Sequence, residues 1–354
     1  MNPFDAKRIV AQWWLGALLG TFLIALSSPL FVRSYLPSRV DPLRGVVVPD
    51  AGYGYRWRSE GYATTAIGPH GMPGRVDLPD AKAADGLRIA LWGDSQAEGV
   101  CVADEHKLHR QIERIAGEAH HKVVVLPLAR SGDDAAEWLA QIPRVETTLA
   151  IDLHLILVAE MSDLELASST ASLPVVDPQW QAKHNRLTAH LPAFILHAAR
   201  RVLRFPDGTS RTLRFSVGPP AADHATIHDT SAASAAERPR TDWDSVMHTL
   251  RSSTAQPLWV VYAPRVHRTR VAPVTVAETE PPPAILAEIE RAARSAEISL
   301  LDMRQAFFRS AAANDWPHGF HNGIFMQGHL NQTGYQVIAS EVAKALESSA
   351  TLAL

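Results

Sequence analysis

The chain has 354 residues, 46% of them apolar and 20% charged, a length for one or two domains and a usage that excludes wholesale disorder, collagen and coiled coil. Lys and Arg total 34 against 37 Asp and Glu, a net charge of -3, so bulk charge provides no attraction for nucleic acid. A single cysteine, Cys101, rules out an intramolecular disulfide and any multi-cysteine zinc or iron–sulfur site. No HExxH spacing organises the 16 His, and neither a metal nor a cofactor is expected.

Lys7 and Arg8 precede an uncharged run from Ile9 to Val32, with Trp13 and Trp14 near its start. At 1.5 Å per residue a helix over 9–32 reaches about 36 Å, enough for a hydrocarbon core of about 30 Å. The basic flank predicts a cytoplasmic N-terminus, although Arg33, Arg39 and Arg44 make the asymmetry mild. The leading reading is an uncleaved single-pass anchor. A signal peptide cut near Ala25-Leu26-Ser27 and a buried soluble helix are the alternatives. Either of the first two puts 34–354 outside the cytoplasm, with the periplasm as the expected compartment.

Residues 33–86 are rich in Pro, Gly, Arg and Tyr without a helical period. They read as a tether and an extended lead-in. Strand and helix then alternate. Leu87–Trp92 is a short apolar strand ending in Gly93-Asp94-Ser95, and a helix follows over 104–117. Val123–Leu128 is a strand and 133–142 a helix. Leu153–Ala159 is a strand, followed by a helix near 187–203. Leu258–Ala263 is a strand, 284–296 a helix, Ile298–Leu301 a short strand, and 333–347 the last helix. Five such alternations predict a three-layer α/β sandwich around a five-stranded parallel sheet, with the site beyond the carboxyl ends of the strands. A polar Pro-, Ser- and Ala-containing stretch at about 206–243 interrupts the pattern as a loop or insertion, with a lid over the site as an alternative. The expected organisation is 1–8 cytoplasmic, 9–32 anchor, 33–86 tether and lead-in, 87–348 the α/β domain and 349–354 a tail.

Ser95 closes the first strand at a strand-to-helix turn, where a hydroxyl is exposed and a backbone N–H can face an oxyanion. His329 stands in Gly328-His329-Leu330-Asn331-Gln332-Thr333-Gly334-Tyr335, just ahead of the final helix. From there it can reach the first strand as a general base. With Arg130-Ser131-Gly132 after the second strand and the lead-in Ile67-Gly68-Pro69-His70-Gly71-Met72-Pro73-Gly74, these motifs resemble the SGNH (GDSL) hydrolase family in its membrane-anchored branch. The resemblance covers about 87–164 and 257–348, with weaker support over 52–86, and implies a flavodoxin-like SGNH fold. It makes Ser95 the nucleophile and His329 the base, with the N–H groups of Ser95 and Gly132 as oxyanion donors.

Two positions depart from the family pattern. Its oxyanion Asn falls in Glu160-Met161-Ser162-Asp163, where Ser162 is a shorter donor. Its Asp three residues before the His is Met326 here. Gln327, Asn322, a backbone carbonyl or an acid from elsewhere such as Asp163 are the groups left to orient His329; a Ser–His dyad and a degenerate site are the other readings. Asp94 is read as fixing the turn, Glu98 as a solvated helix-start carboxylate and Cys101 as a small buried residue. His318 and His321 form a weak candidate metal pair. Trp57, Trp138 and Trp316 read as packing, with a sugar cleft as the alternative for one of them.

By the resemblance, the chain is a membrane-tethered extracytoplasmic esterase or acyltransferase using a Ser–His acyl-enzyme mechanism. Its expected substrate is an acylated glycan or another ester. The alternative is a catalytically weak SGNH-fold binding or scaffold subunit among polysaccharide-assembly partner proteins.

Overall fold

The computed structural model describes residues 3–79, 86–119, 122–166, 177–203, 241–270, 275–278, 283–323 and 328–352. Helix α1 (Pro3–Ser27) leads into a 3-10 turn at Ser28–Leu30. The stretch Ala6–Leu30 is long and apolar enough to cross a membrane, and none of its most apolar window is buried. Trp13 and Trp14 stand exposed on it.

The stretch expected to be a tether packs against the α/β body instead. Strands β1 (Ser38–Val40) and β2 (Val47–Pro49) pair antiparallel, as do β3 (Gly54–Arg56) and β4 (Thr64–Ala66). Val46, Val48, Ile67 and Met72 are buried. Arg44 is 1% exposed and reaches across to the body. It donates to Gln141 Oε1 at 2.9 Å, to the His70 carbonyl at 3.0 Å and to the Leu128 carbonyl at 2.5 Å. A planar guanidinium with five donors suits three separated acceptors. Burial lowers its pKa to about 10.

The body is built on β5 (Leu87–Gly93), β6 (Val123–Pro127), β7 (Leu153–Val158), β8 (Leu258–Tyr262) and, after the hairpin of β9 (Val266–Arg270) and β10 (Thr275–Glu278), β11 (Ser299–Asp302). The five-stranded sheet runs β11-β8-β7-β5-β6, and every pairing is parallel. Crossover helices cover both faces, so its inner strands are continuously apolar. Trp92, Ile156, Val260 and Tyr262 face one core, with α4 (Ala135–Thr148), α7 (Trp243–Ser252) and α8 (Pro283–Ser295). Ile89, Leu91, Leu155 and Val261 face the other, with α3 (Leu108–Glu118), α9 (Arg304–Ala312) and α10 (Gln332–Leu352). This is the three-layer α/β architecture with a five-stranded parallel sheet.

Several boundaries differ from expectation for local reasons. The helix predicted over 104–117 begins at Leu108. Its first residues form a 3-10 turn whose Asp104 carboxylate accepts from Ala66 N–H. The helix predicted to stop at 142 runs on through Pro143 to Thr148, started by a capping box between Asp134 and Glu137. The helix predicted near 187–203 is two, α5 (Pro178–His190) and α6 (Ala193–Leu203). Pro192 forces Leu191 into an extended conformation between them. Helix α7 was not anticipated, although Trp243, Val246, Met247 and Leu250 bury one face. Residues 206–240 of the expected insertion lie outside the described residues. Helix α10 continues past 347 to Leu352.

Arg44→Met leaves the buried Leu128 carbonyl, the half-buried His70 carbonyl and the Gln141 amide oxygen without their donor. At about 1–3 kcal/mol for each buried unsatisfied group, the urea midpoint is expected to fall well below that of Arg39→Met, whose parent side chain is 53% exposed. Equal midpoints for the two variants would contradict this role for Arg44.

Candidate active site

The turn after β5 is set by Gly93. Its φ of 145° is one that L side chains rarely adopt, and a Cβ there would lie 2.6 Å from Ala97 Cβ and 2.7 Å from the Leu157 carbonyl. Asp94 caps the short helix α2 (Ser95–Glu98) by accepting from Gln96 N–H at 2.8 Å, the turn-fixing role read from the sequence. The cap presents Ser95 at the carboxyl edge of the sheet.

His329 is brought to that edge by the start of α10 and locked there from two sides. Gln96, 2% exposed, accepts from Leu330 N–H through Oε1 at 2.8 Å. Its carbonyl accepts from the Tyr335 hydroxyl at 2.6 Å. The residue beside Ser95 therefore holds the residues around His329. Asn331 supports the same loop by donating to the carbonyls of Trp316 and Gly319 at 2.8 and 3.1 Å.

The result is a hydrogen-bonded chain of three side chains. His329 Nε2 lies 3.0 Å from Ser95 Oγ. His329 Nδ1 lies 2.9 Å from Glu60 Oε2, and the His329 backbone N–H donates to Glu60 Oε1 at 2.7 Å. An ionised carboxylate only accepts, so Nδ1 carries the proton and Nε2 is left to accept from the Ser95 hydroxyl. Burial on its own raises the Glu60 pKa, but the hydrogen bonds from the His329 ring and backbone outweigh it and bring it below the usual carboxylate range.

Glu60 was not anticipated from the sequence. It sits in the loop between β3 and β4, in the stretch read as a lead-in. Two glycines make room for it. Gly61 has φ +78°, and a Cβ there would lie 2.0 Å from the Cys101 carbonyl. Gly328 has φ +91°, and a Cβ there would lie 2.2 Å from Glu60 Oε1. Asn322, proposed to orient the imidazole, instead accepts from Gly61 N–H at 2.9 Å and so holds the Glu60 loop. Met326 and Gln327 lie outside the described residues. Asp163 is not bonded to His329. Its pKa is raised to about 7, chiefly by burial and then by the neighbouring Asp94 and Glu160.

Cys101 is 2% exposed, as read from the sequence. Its sulfur, with one donor atom each of Glu60 and His329, forms a set lying within 4.8 Å of one another. The set suits a cation poorly, because Glu60 and Nδ1 already bond each other and burial raises the Cys101 pKa, keeping the thiol protonated. His318 is fully buried, edge-on to Phe307, and His321 is exposed.

Neither the Ser95 N–H nor the Gly132 N–H has a hydrogen-bond partner among the described residues. Gly132 takes φ +85° beside Ser131, whose N–H donates to Glu98 Oε2 at 3.1 Å. Ser162 is exposed on the 3-10 turn Met161–Leu164 beyond β7. A cavity of about 480 Å³ opens over Ser95 and His329, walled by Arg33, Tyr35, Tyr55, Trp57, Glu98 and Ser131 among others. Trp57 is thus a wall of the cavity, whereas Trp138 and Trp316 are buried. Glu98, read as solvated, is half-buried in the cavity wall. Burial raises its pKa to about 7, against partial compensation by Lys107 and the Ser131 N–H.

No described protein family matches the chain, and no curated protein matches it. Among solved structures it is similar to a two-domain esterase active on acetylated mannans, at 11% identity and a TM-score of 0.39, over 74% of this chain and 49% of that one. It is also similar to a Clostridium thermocellum family 3 carbohydrate esterase, at 10% identity and a TM-score of 0.34, over 74% of this chain and 98% of that one. A third is the lipase/acylhydrolase from Enterococcus faecalis, at 11% identity and a TM-score of 0.37, over 74% and 96%. The chain spans about half the length of the two-domain esterase. At these values the likeness carries no argument, and the site stands on its own distances.

The raised pKa of Glu98 has a consequence for stability. Between its unfolded value of 4.5 and about 7 the folded chain holds a proton that the unfolded chain has released, so stability falls as pH rises through that window. Glu98→Gln keeps an acceptor for Ser131 N–H and removes the titration. Its melting temperature is expected to exceed that of the parent at pH 8, with the gap closing below pH 4.5. A gap independent of pH would contradict the burial of a titrating carboxyl there.

Proposed function

We propose that the chain is a serine esterase or acyltransferase of SGNH type. The hydrogen-bonded sequence Glu60–His329–Ser95 is the observation that carries this reading. Ser95 Oγ attacks an ester carbonyl while its proton passes to His329 Nε2. The carboxylate of Glu60 keeps Nδ1–H in place and stabilises the imidazolium that forms. The tetrahedral intermediate places its oxyanion on the free N–H groups of Ser95 and Gly132, with Ser162 as a further donor. It collapses as the alcohol leaves with the proton from His329, giving an acyl-Ser95. Water or an acceptor hydroxyl, deprotonated by His329, then releases the acyl group.

The proposed substrate is an O-acylated polysaccharide or cell-envelope glycan. Tyr35, Tyr55 and Trp57 offer flat apolar faces around Ser95, and Glu98 and Ser131 offer polar groups. That mixture suits a sugar ring, which has an apolar face and hydroxyl edges. Helix α1 supports a single-pass membrane anchor, with the domain on the extracytoplasmic side as the basic flank at Lys7 and Arg8 suggests. The scaffold alternative rested on the missing Asn and Asp; the Glu60 carboxylate beside His329 counts against it on the second point, while Ser162 stands where the Asn would.

With p-nitrophenyl acetate and acetylated oligosaccharides as substrates for the full chain, Ser95→Ala and His329→Ala are each expected to lower kcat by about 10⁴-fold or more. Glu60→Gln is expected to cost about 10³–10⁴-fold, because the amide favours the wrong tautomer of His329. Wild type hydrolysing every ester no faster than Ser95→Ala, together with failure of a fluorophosphonate to label it, would sink the enzyme reading in favour of the scaffold.

A further inference from the structure

The loop that carries Glu60 is fastened to the end of the apolar N-terminal helix. Tyr62, two residues after Glu60, donates its hydroxyl to the Leu30 carbonyl at 2.6 Å. Arg58, two residues before it, donates Nε–H to the Pro29 carbonyl at 3.3 Å. The Arg58 guanidinium lies 4.2 Å from the centre of the Tyr62 ring, within cation–π range. Both acceptors belong to the 3-10 turn that ends the helix, where carbonyls lack intrahelical partners.

Two further observations concern the same loop. Tyr62 has φ +68°, a left-handed backbone that a bulky L residue rarely adopts and that surrounding contacts must hold. Ser34 then bonds Arg56 in both directions, donating N–H to its carbonyl at 3.0 Å and accepting its N–H through Oγ at 2.7 Å. The chain leaving the helix therefore runs alongside the chain entering the Glu60 loop. The same residues Arg33–Leu36 wall the cavity over Ser95. Ser34 is four residues past Leu30, so it lies within about 14 Å of the helix end by chain length alone.

We infer that the end of the membrane helix is an abutment for the active site, with Tyr62 and Arg58 as positioning residues that set the Glu60 carboxylate against His329. This rests on the esterase reading for its effect on turnover, but the positioning itself does not. Neither residue touches the reacting atoms. They act by holding a loop whose acid must meet the imidazole at hydrogen-bond distance, and a displacement of about 1 Å in such a group costs about 10²-fold in rate.

The test uses the full chain in lipid nanodiscs and compares wild type with Tyr62→Phe, which removes one oxygen, and with Tyr62→Phe/Arg58→Ala. Two quantities are followed: kcat and KM on p-nitrophenyl acetate, and the downfield proton resonance of His329 Nδ1–H bonded to a carboxylate. In the double variant kcat is expected to fall by about 10²-fold with KM little changed, and the resonance to weaken or move upfield. Tyr62→Phe is expected to show a smaller change of the same kind, at a melting temperature close to wild type. A wild-type kcat and an unmoved resonance in the double variant would overturn the inference. So would a loss of kcat fully accounted for by unfolding, with the resonance intact in the molecules still folded. The resonance needs no substrate, so a wild type inactive on all esters would count against the esterase reading while leaving the positioning measurable.

Discussion

The contact between the Glu60 carboxylate and the His329 imidazole is the constraint around which the site is arranged. The two residues are 269 positions apart, and each is held by its own set of bonds. Gln96 and Asn331 hold the His329 loop. Asn322, Arg58 and Tyr62 hold the Glu60 loop. Glycine at 61 and 328 is required because any Cβ would strike the Cys101 carbonyl or Glu60 itself. A carboxylate accepting two N–H bonds from one residue is fixed in both position and direction.

The sheet was legible in the sequence because apolar runs buried on both faces leave an unmistakable pattern, and Ser95 and His329, each a weak signal alone, were singled out together through the family resemblance; the structure brings them to 3.0 Å. Glu60 was not legible. The stretch around Arg58-Ser59-Glu60-Gly61-Tyr62 has no period and no spacing to His329, and its role exists only once the β3–β4 hairpin is packed on the body. The signal available was Gly61 in a polar turn bracketed by Tyr and Arg, which is too common to interpret alone. Glu98 was misread for a related reason. A carboxylate at a helix start is usually solvated, whereas Glu98 is half-buried in the cavity wall and accepts from the Ser131 N–H.

Because residues 33–79 pack on the α/β body, the lead-in contributes part of the cavity wall and Glu60, and the body contributes Ser95 and His329. Arg44 joins the two parts with two buried hydrogen bonds, to Gln141 and to the Leu128 carbonyl. A soluble fragment beginning near residue 40 would therefore lack Arg33–Leu36 from the cavity wall and the carbonyls that Arg58 and Tyr62 hold. The end of the apolar N-terminal helix and the loop that carries Glu60 are joined through a few residues that follow the helix.

The most direct test of the central reading is to trap the covalent intermediate. The full chain is mixed with p-nitrophenyl acetate, quenched in acid within the first turnover, digested and mapped by mass spectrometry. The account predicts a burst of nitrophenol and an acetyl group on the peptide carrying Ser95, absent from Ser95→Ala. No burst and no acetyl group at Ser95, with the protein folded, would contradict it.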